Sequence, residues 1–258
     1  MTRTTPSIQP DQIIRPTEPA RRTEPDRTLI AFGIIGLVSQ ILFMAGWLIP
    51  ASWQPRGYSF VRDTISDLMA RTAPHAEVPV TLLIAAGIGT MLFALLGLRP
   101  ALRAAGRTAF YAPWMLAFSA LGLGNVLSFL QIPCQTGVCG PHQAASTFAG
   151  AQDVIGGVVV VTLLAISPFP MSRRLKETPG WQRLSGPSLL TGLAVMACFI
   201  AFGLHSTAAI HGLLERAVAT IGSGWTAVLA VHLIRAARQP ETPTAADAMR
   251  ATPGTHPG

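Results

Sequence analysis

Six long stretches with almost no charge dominate this sequence, and they leave few folds open to it. Positions 28–49, 78–98, 109–133 and 184–204 carry no charged residue over 22, 21, 25 and 21 residues. Positions 217–234 carry none over 18, and 144–167 contain a single one, Asp153. A hydrocarbon core about 30 Å thick takes around 20 helical residues at about 1.5 Å each. Each stretch is therefore long enough to cross a bilayer. Lipid offers the backbone no hydrogen-bond partners, and these runs lack the short alternating pattern of barrel strands, so the spans are read as helices. The expected architecture is all-α: a polytopic bundle of six transmembrane helices over 28–49, 78–98, 109–133, 144–167, 184–204 and 214–234.

Composition supports the same class. Only 12% of the 258 residues are charged and half are apolar, whereas soluble domains average about 25% charged. A soluble enzyme, a coiled coil and a mainly disordered chain are excluded on that ground. The pI near 10.6 does not indicate nucleic acid, because the basic residues sit in short connections beside apolar runs. Segments 1–27 and 237–258 are rich in proline and threonine and are expected to be disordered tails. The first apolar run starts late and is too long for a cleaved signal segment, so it is read as a retained span.

Arginine placement predicts the orientation. Fifteen of the nineteen Lys+Arg residues fall on one side: Arg3, Arg15, Arg21, Arg22, Arg27, Arg99, Arg103, Arg107, Arg173, Arg174, Lys176, Arg183, Arg235, Arg238 and Arg250. Arg56, Arg62, Arg71 and Arg216 fall on the other. The positive-inside rule then puts both termini in the cytoplasm of a plasma-membrane protein. Eighteen arginines against one lysine match high-GC coding and point to a bacterial source.

The chemistry-bearing residues gather on the side with few arginines. In the loop over 50–77, Val61, Ile65, Leu68 and Met69 would share one face of a helix and Asp63, Asp67 and Arg71 the other, so a short amphipathic helix lying on the bundle end is expected. Asp67 and Arg71 would form a solvated pair. Asp63 and Asp67, also four apart, would repel unless a cation or a second arginine sits between them. Asp153 would lie about 9 Å inside the core edge, and a lone carboxylate there is expected to face the bundle interior, either pinned to Asn125 or Gln131 or serving a function. His211 and Glu215 are four apart and would meet on one helix face, an arrangement suited to metal binding or proton transfer. His205 could join them only across a turn. Arg62, Asp63, Ser66, Asp67, Asp153, His205, His211, Glu215 and Arg216 are the candidate pocket residues. A metal, if present, would fall to His205, His211 and Asp153, and a divalent metal is the cofactor such residues would suit. Cys134 and Cys139 flank a turn and are read as a disulfide, while Cys198 lies mid-span as packing. No catalytic residue is assigned.

Three segments carry a family resemblance: Gly57-Tyr58-Ser59 with Arg62-Asp63-Thr64-Ile65-Ser66-Asp67-Leu68, the Cys134 to Cys139 loop, and Gly212-Leu213-Leu214-Glu215-Arg216 at the last span. In this order the chain resembles, over about 28–236, the DUF998 family of bacterial and archaeal membrane proteins. The resemblance implies a six-helix integral membrane protein and no particular reaction. The family pattern often carries histidine at the start of the fourth span, where this chain has Phe148, Gln152 and Asp153, so the resemblance adds no metal centre. The chain lacks phosphate-binding, zinc-protease, nucleophile-elbow and dinucleotide signatures. The leading expectation is a protein whose outward polar pocket binds or transports a small ligand, cation or lipid headgroup. The alternatives are a metal-dependent membrane hydrolase acting at the outer face, and a structural or regulatory subunit without ligand chemistry. The partners expected are the lipid bilayer and a lipid or small-molecule ligand, not nucleic acid.

Overall fold

A computed structural model describes residues 25–103, 111–135, 147–204 and 209–239. The expected tails therefore lie almost wholly outside the described residues, as do His205 and Cys139. Every regular element among the described residues is helical.

Six helical stretches are long and apolar enough to cross a membrane. The first is α1 (Arg27–Ala51), started by Asp26, whose carboxylate accepts from the amides of Thr28 and Leu29 at 3.1 Å each. That satisfies two of the donors a helix start leaves open. The second begins as α2 (Glu77–Leu92), widens into a π-helical segment at Phe93–Leu98 and ends at Arg99–Ala101. The fourth is α4 (Phe148–Ile166), continued by α5 (Pro168–Glu177). The fifth is α6 (Ser185–Leu204) and the sixth α7 (His211–Arg238).

The third span departs from the continuous helix expected over 109–133. It starts as α3 (Ala112–Ala117), with Pro113 in the first turn, and breaks at Ser119. A π-helical turn, Ala120–Gly124, and a 3-10 turn, Leu127–Phe129, then complete the crossing. Ser119 takes an extended backbone, its hydroxyl donates to the Leu116 carbonyl at 2.7 Å, and it accepts from the Leu121 amide. Serine thus supplies partners to backbone groups that the break releases, and Gly122 and Gly124 lower the cost of leaving the α-helix.

The spans close into a ring in which neighbours run third, second, first, sixth, fifth, fourth and back to third. Close approach is achieved with small residues. A methyl group on Gly87 would lie 2.6 Å from the Gly122 carbonyl oxygen, so only glycine lets α2 meet the broken span there. Trp225 of α7 donates to the Ser188 hydroxyl of α6 at 2.9 Å. One apolar cluster, including Phe93, Leu116, Met171, Trp181, Trp225 and Leu233, fills the end bearing most described arginines. A second, including Phe43, Trp47, Leu68, Leu83, Leu164 and Val218, fills the other. Between them Gln40 donates to Ser39 and Thr90 at 3.0 Å each. Outward-facing Ile41, Ile155, Leu190 and Phe148 are 61%, 67%, 67% and 80% exposed. An apolar exterior of that extent needs lipid to cover it.

Candidate functional site

The loop over 50–77 closes one end of the ring, and its conformation corrects the amphipathic-helix expectation. Between α1 and α2 only Ser66–Met69 is helical, as a single 3-10 turn. The side chains that would have lined the polar face bind their own backbone instead. Asp63 accepts from the Ser59 amide at 2.7 Å, and Asp67 accepts from the Thr64 amide and hydroxyl at 2.8 Å each. Such local bonds compete with a helix and favour turns. Asp67 is buried, so the solvated pair with Arg71 does not form. The cation beside Asp63 is Arg62, whose Nε and Nη2 donate to the carboxylate at 2.7 and 3.1 Å. That hydrogen bond raises the Arg62 guanidinium above its ordinary pKa.

The start of α7 is welded to this loop. The amides of Gly212 and Leu213, open donors at a helix start, donate to the carbonyls of Arg62 and Val61 at 3.0 and 2.8 Å. Arg216, one turn on, is buried. Its Nη1 donates to the carbonyls of Asp63, Phe60 and Gly212 at 2.6, 2.8 and 3.0 Å, and its Nη2 donates to the Tyr58 hydroxyl. The guanidinium lies 4.3 Å from the Phe60 ring centre and 5.9 Å from that of Trp47, within cation–π range. Burial pushes the Tyr58 hydroxyl up to about 12, against the opposing charge of Arg216. The Nε of Arg216 and the indole nitrogen of Trp47 are buried without a hydrogen-bond partner.

Asp67, Asp153 and Glu215 converge beneath the loop. Glu215 accepts from the Ile65 amide at 2.7 Å. Asp153, from α4, meets the Ser66 hydroxyl rather than Asn125 or Gln131, and its charge acts on Glu215 as Asp67 acts on both. Asn125 instead donates to Leu121 at 3.2 Å, and Gln131 to Met69 at 2.8 Å. His211 is close enough to Asp67 to feel its charge. Its ring stacks on Phe202 with centres 3.8 Å apart, and its Nδ1 is buried with no hydrogen-bond partner, while the Glu215 carboxylate is taken by the Ile65 amide. Of the candidate residues, then, Arg62, Asp63, Ser66, Asp67, Asp153, His211, Glu215 and Arg216 all stand at this one end, and His205 is outside the described residues. Among the described residues no group of three His, Cys, Asp or Glu side chains is arranged to hold a metal ion. Cys134 is buried and disulfide-bonded, and Cys198 is free.

Tyr58, Thr64 and Gly212 are integral to this end and were not among the candidate site residues. The run from Gly57 to Leu68 and the Gly212–Arg216 run are two of the three family-like segments, and here they are in direct contact. Residues 37–232 match a family described as proteins of unknown function, DUF998. The chain belongs to the DUF998 family. No curated protein and no solved structure matches it. Six apolar spans and this membership make the chain a membrane protein in which two of the family-like runs build a single cap.

Proposed function

We propose that this DUF998 protein binds or transports a small cation, either free or as the ammonium of a lipid headgroup, in the acidic end formed by Asp67, Asp153 and Glu215. The observation that carries this reading is the convergence of three carboxyl groups from segments far apart in sequence. Arg62 is engaged by Asp63, and Arg216 is the cation whose charge reaches Glu215. Carboxyl groups thus outnumber the guanidinium beside them, and such a site draws a cation or protons. The arginine distribution supports a plasma-membrane orientation with both termini cytoplasmic and this end outward.

The test is flux into proteoliposomes and binding in detergent, with Asp153→Asn compared to the parent protein. Loss of cation flux or binding in a variant that folds normally is the expected result. Unchanged flux and binding would overturn the proposal. A stoichiometric divalent metal together with hydrolysis of lipid or peptide substrates would replace it with the metal-dependent hydrolase reading.

A further inference from the structure

The opposite end of the bundle carries a groove that the acidic cluster does not involve. It lies between the start of α6 and the last turns of α7, has a volume of about 350 Å³, and is lined by Leu184, Ala227, Val228, Val231, His232 and Arg235. Small-ligand clefts run from roughly 300 to 1,000 Å³. Ala227, Val231 and Arg235 are spaced four apart and so line one face of α7 over about 12 Å. That face passes from purely apolar at its inner part to basic at its mouth.

The two polar residues of the groove differ in role. His232 is a wall fixture: its Nε2 lies 3.0 Å from the Gly180 carbonyl oxygen, and its ring packs edge-on against Trp181 with centres 4.4 Å apart. Arg235 is exposed, and no hydrogen bond or ion pair engages it among the described residues. Arg183, directly before Leu184, is also exposed. Val228, on the groove wall, is 49% exposed, so the apolar part opens outward to the face that lipid covers.

We propose that this groove seats one acidic phospholipid, with its phosphate on Arg235, Arg183 as a second cation, and the upper part of an acyl chain along Ala227, Val228 and Val231. A cation at the headgroup level directly above an apolar channel matches a lipid in both charge and length. Basic pockets between spans at the arginine-rich side select anionic headgroups in this way. A free phosphate would use the cations and make no use of the apolar wall beside them, which is why a lipid is favoured over a soluble anion. The inference is independent of any ligand at the acidic end.

The test is thermal unfolding of the full chain in mild detergent, titrated with dioleoyl phosphatidylglycerol, dioleoyl phosphatidylcholine or glycerol 3-phosphate. Phosphatidylglycerol is expected to raise the Tm of the parent protein, and the other two to leave it unchanged. Arg235→Gln, an exposed position that does not threaten folding, should need at least tenfold more phosphatidylglycerol for the same rise. Val228→Trp, which fills the groove, should reduce the response independently of charge. Equal responses to the two lipids would overturn the proposal, as would full responses in both variants. A full response to glycerol 3-phosphate would overturn it in favour of a plain phosphate site.

Discussion

Gly212 meets the backbone carbonyl of Asp63 so closely that a methyl group on it would lie 2.1 Å from the carbonyl oxygen and 2.7 Å from the Arg216 guanidinium. The contact allows α7 to start directly beneath the loop, with its first amides bonded to loop carbonyls rather than left open. Gly212→Ala should therefore destabilise the protein, because the obstructing atoms are backbone and cannot rotate away. Overpacking of this kind costs on the order of 1–3 kcal/mol. Gly157→Ala is the control, since nothing lies within 4 Å of the added carbon, and inside a helix it should be neutral or stabilising by up to about 1 kcal/mol. Thermal unfolding in detergent compares the two, and equal melting points would refute the close contact.

Tyr58 should titrate late. Burial holds its hydroxyl at about 12, against an ordinary value of 10.0, while an unfolded chain ionises near the ordinary value. Between those two values the unfolded state loses a proton that the folded state keeps, so the stabilising contribution is complete below pH 10 and is lost as pH rises toward 12. The chain has two tyrosines, so the difference in tyrosinate absorbance between the parent and Tyr58→Phe isolates this one. A midpoint at the ordinary value would show that the hydroxyl is not buried against Arg216.

The orientation is open to direct measurement. In a Cys198→Ala background, Arg250→Cys should react with an impermeant thiol reagent only from the cytoplasmic side, and Arg56→Cys only from the outside. Reaction of both from the same side would contradict an even number of spans, and the reverse pattern would turn the acidic end toward the cytoplasm.

The spans were legible because a long uncharged run in lipid has one way to satisfy its backbone. What escaped was everything decided by local competition for backbone groups. The spacing of Asp63 and Asp67 suits an amphipathic helix, yet each carboxylate finds an amide three or four residues back and holds a turn instead. His211 and Glu215 have the right separation to bond on one helix face. Glu215 is instead taken by the Ile65 amide, 150 positions away in the chain, which no spacing rule within a helix could reveal. Asp153 was recognisable as a costly residue in an apolar setting, and Arg216 as a pocket candidate on the outer side. Their actual partners, loop carbonyls and the Ser66 hydroxyl, come from the fold of the loop.

The break in the third span makes the strictest demand on a single residue. A methyl group on Gly122 would fall 1.9 Å from the Ala117 carbonyl oxygen and 2.7 Å from its carbon, both main-chain atoms. Alanine at this position would force the break to open, and opening it moves the Gly122 carbonyl that packs against Gly87. Gly122→Ala should then cost about 3 kcal/mol or more, at the upper end of overpacking effects. Gly124→Ala meets the Val160 side chain at 3.0 Å, which can shift, and the Ser119 carbonyl oxygen at an ordinary contact of 3.4 Å, and should cost under about 1.5 kcal/mol. Thermal unfolding ranks the two variants, and amide exchange over residues 119–124 reports the break itself. A Gly122→Ala protein as stable as the parent, with the exchange of a regular helix across Ser119, would mean that the third span crosses the membrane unbroken.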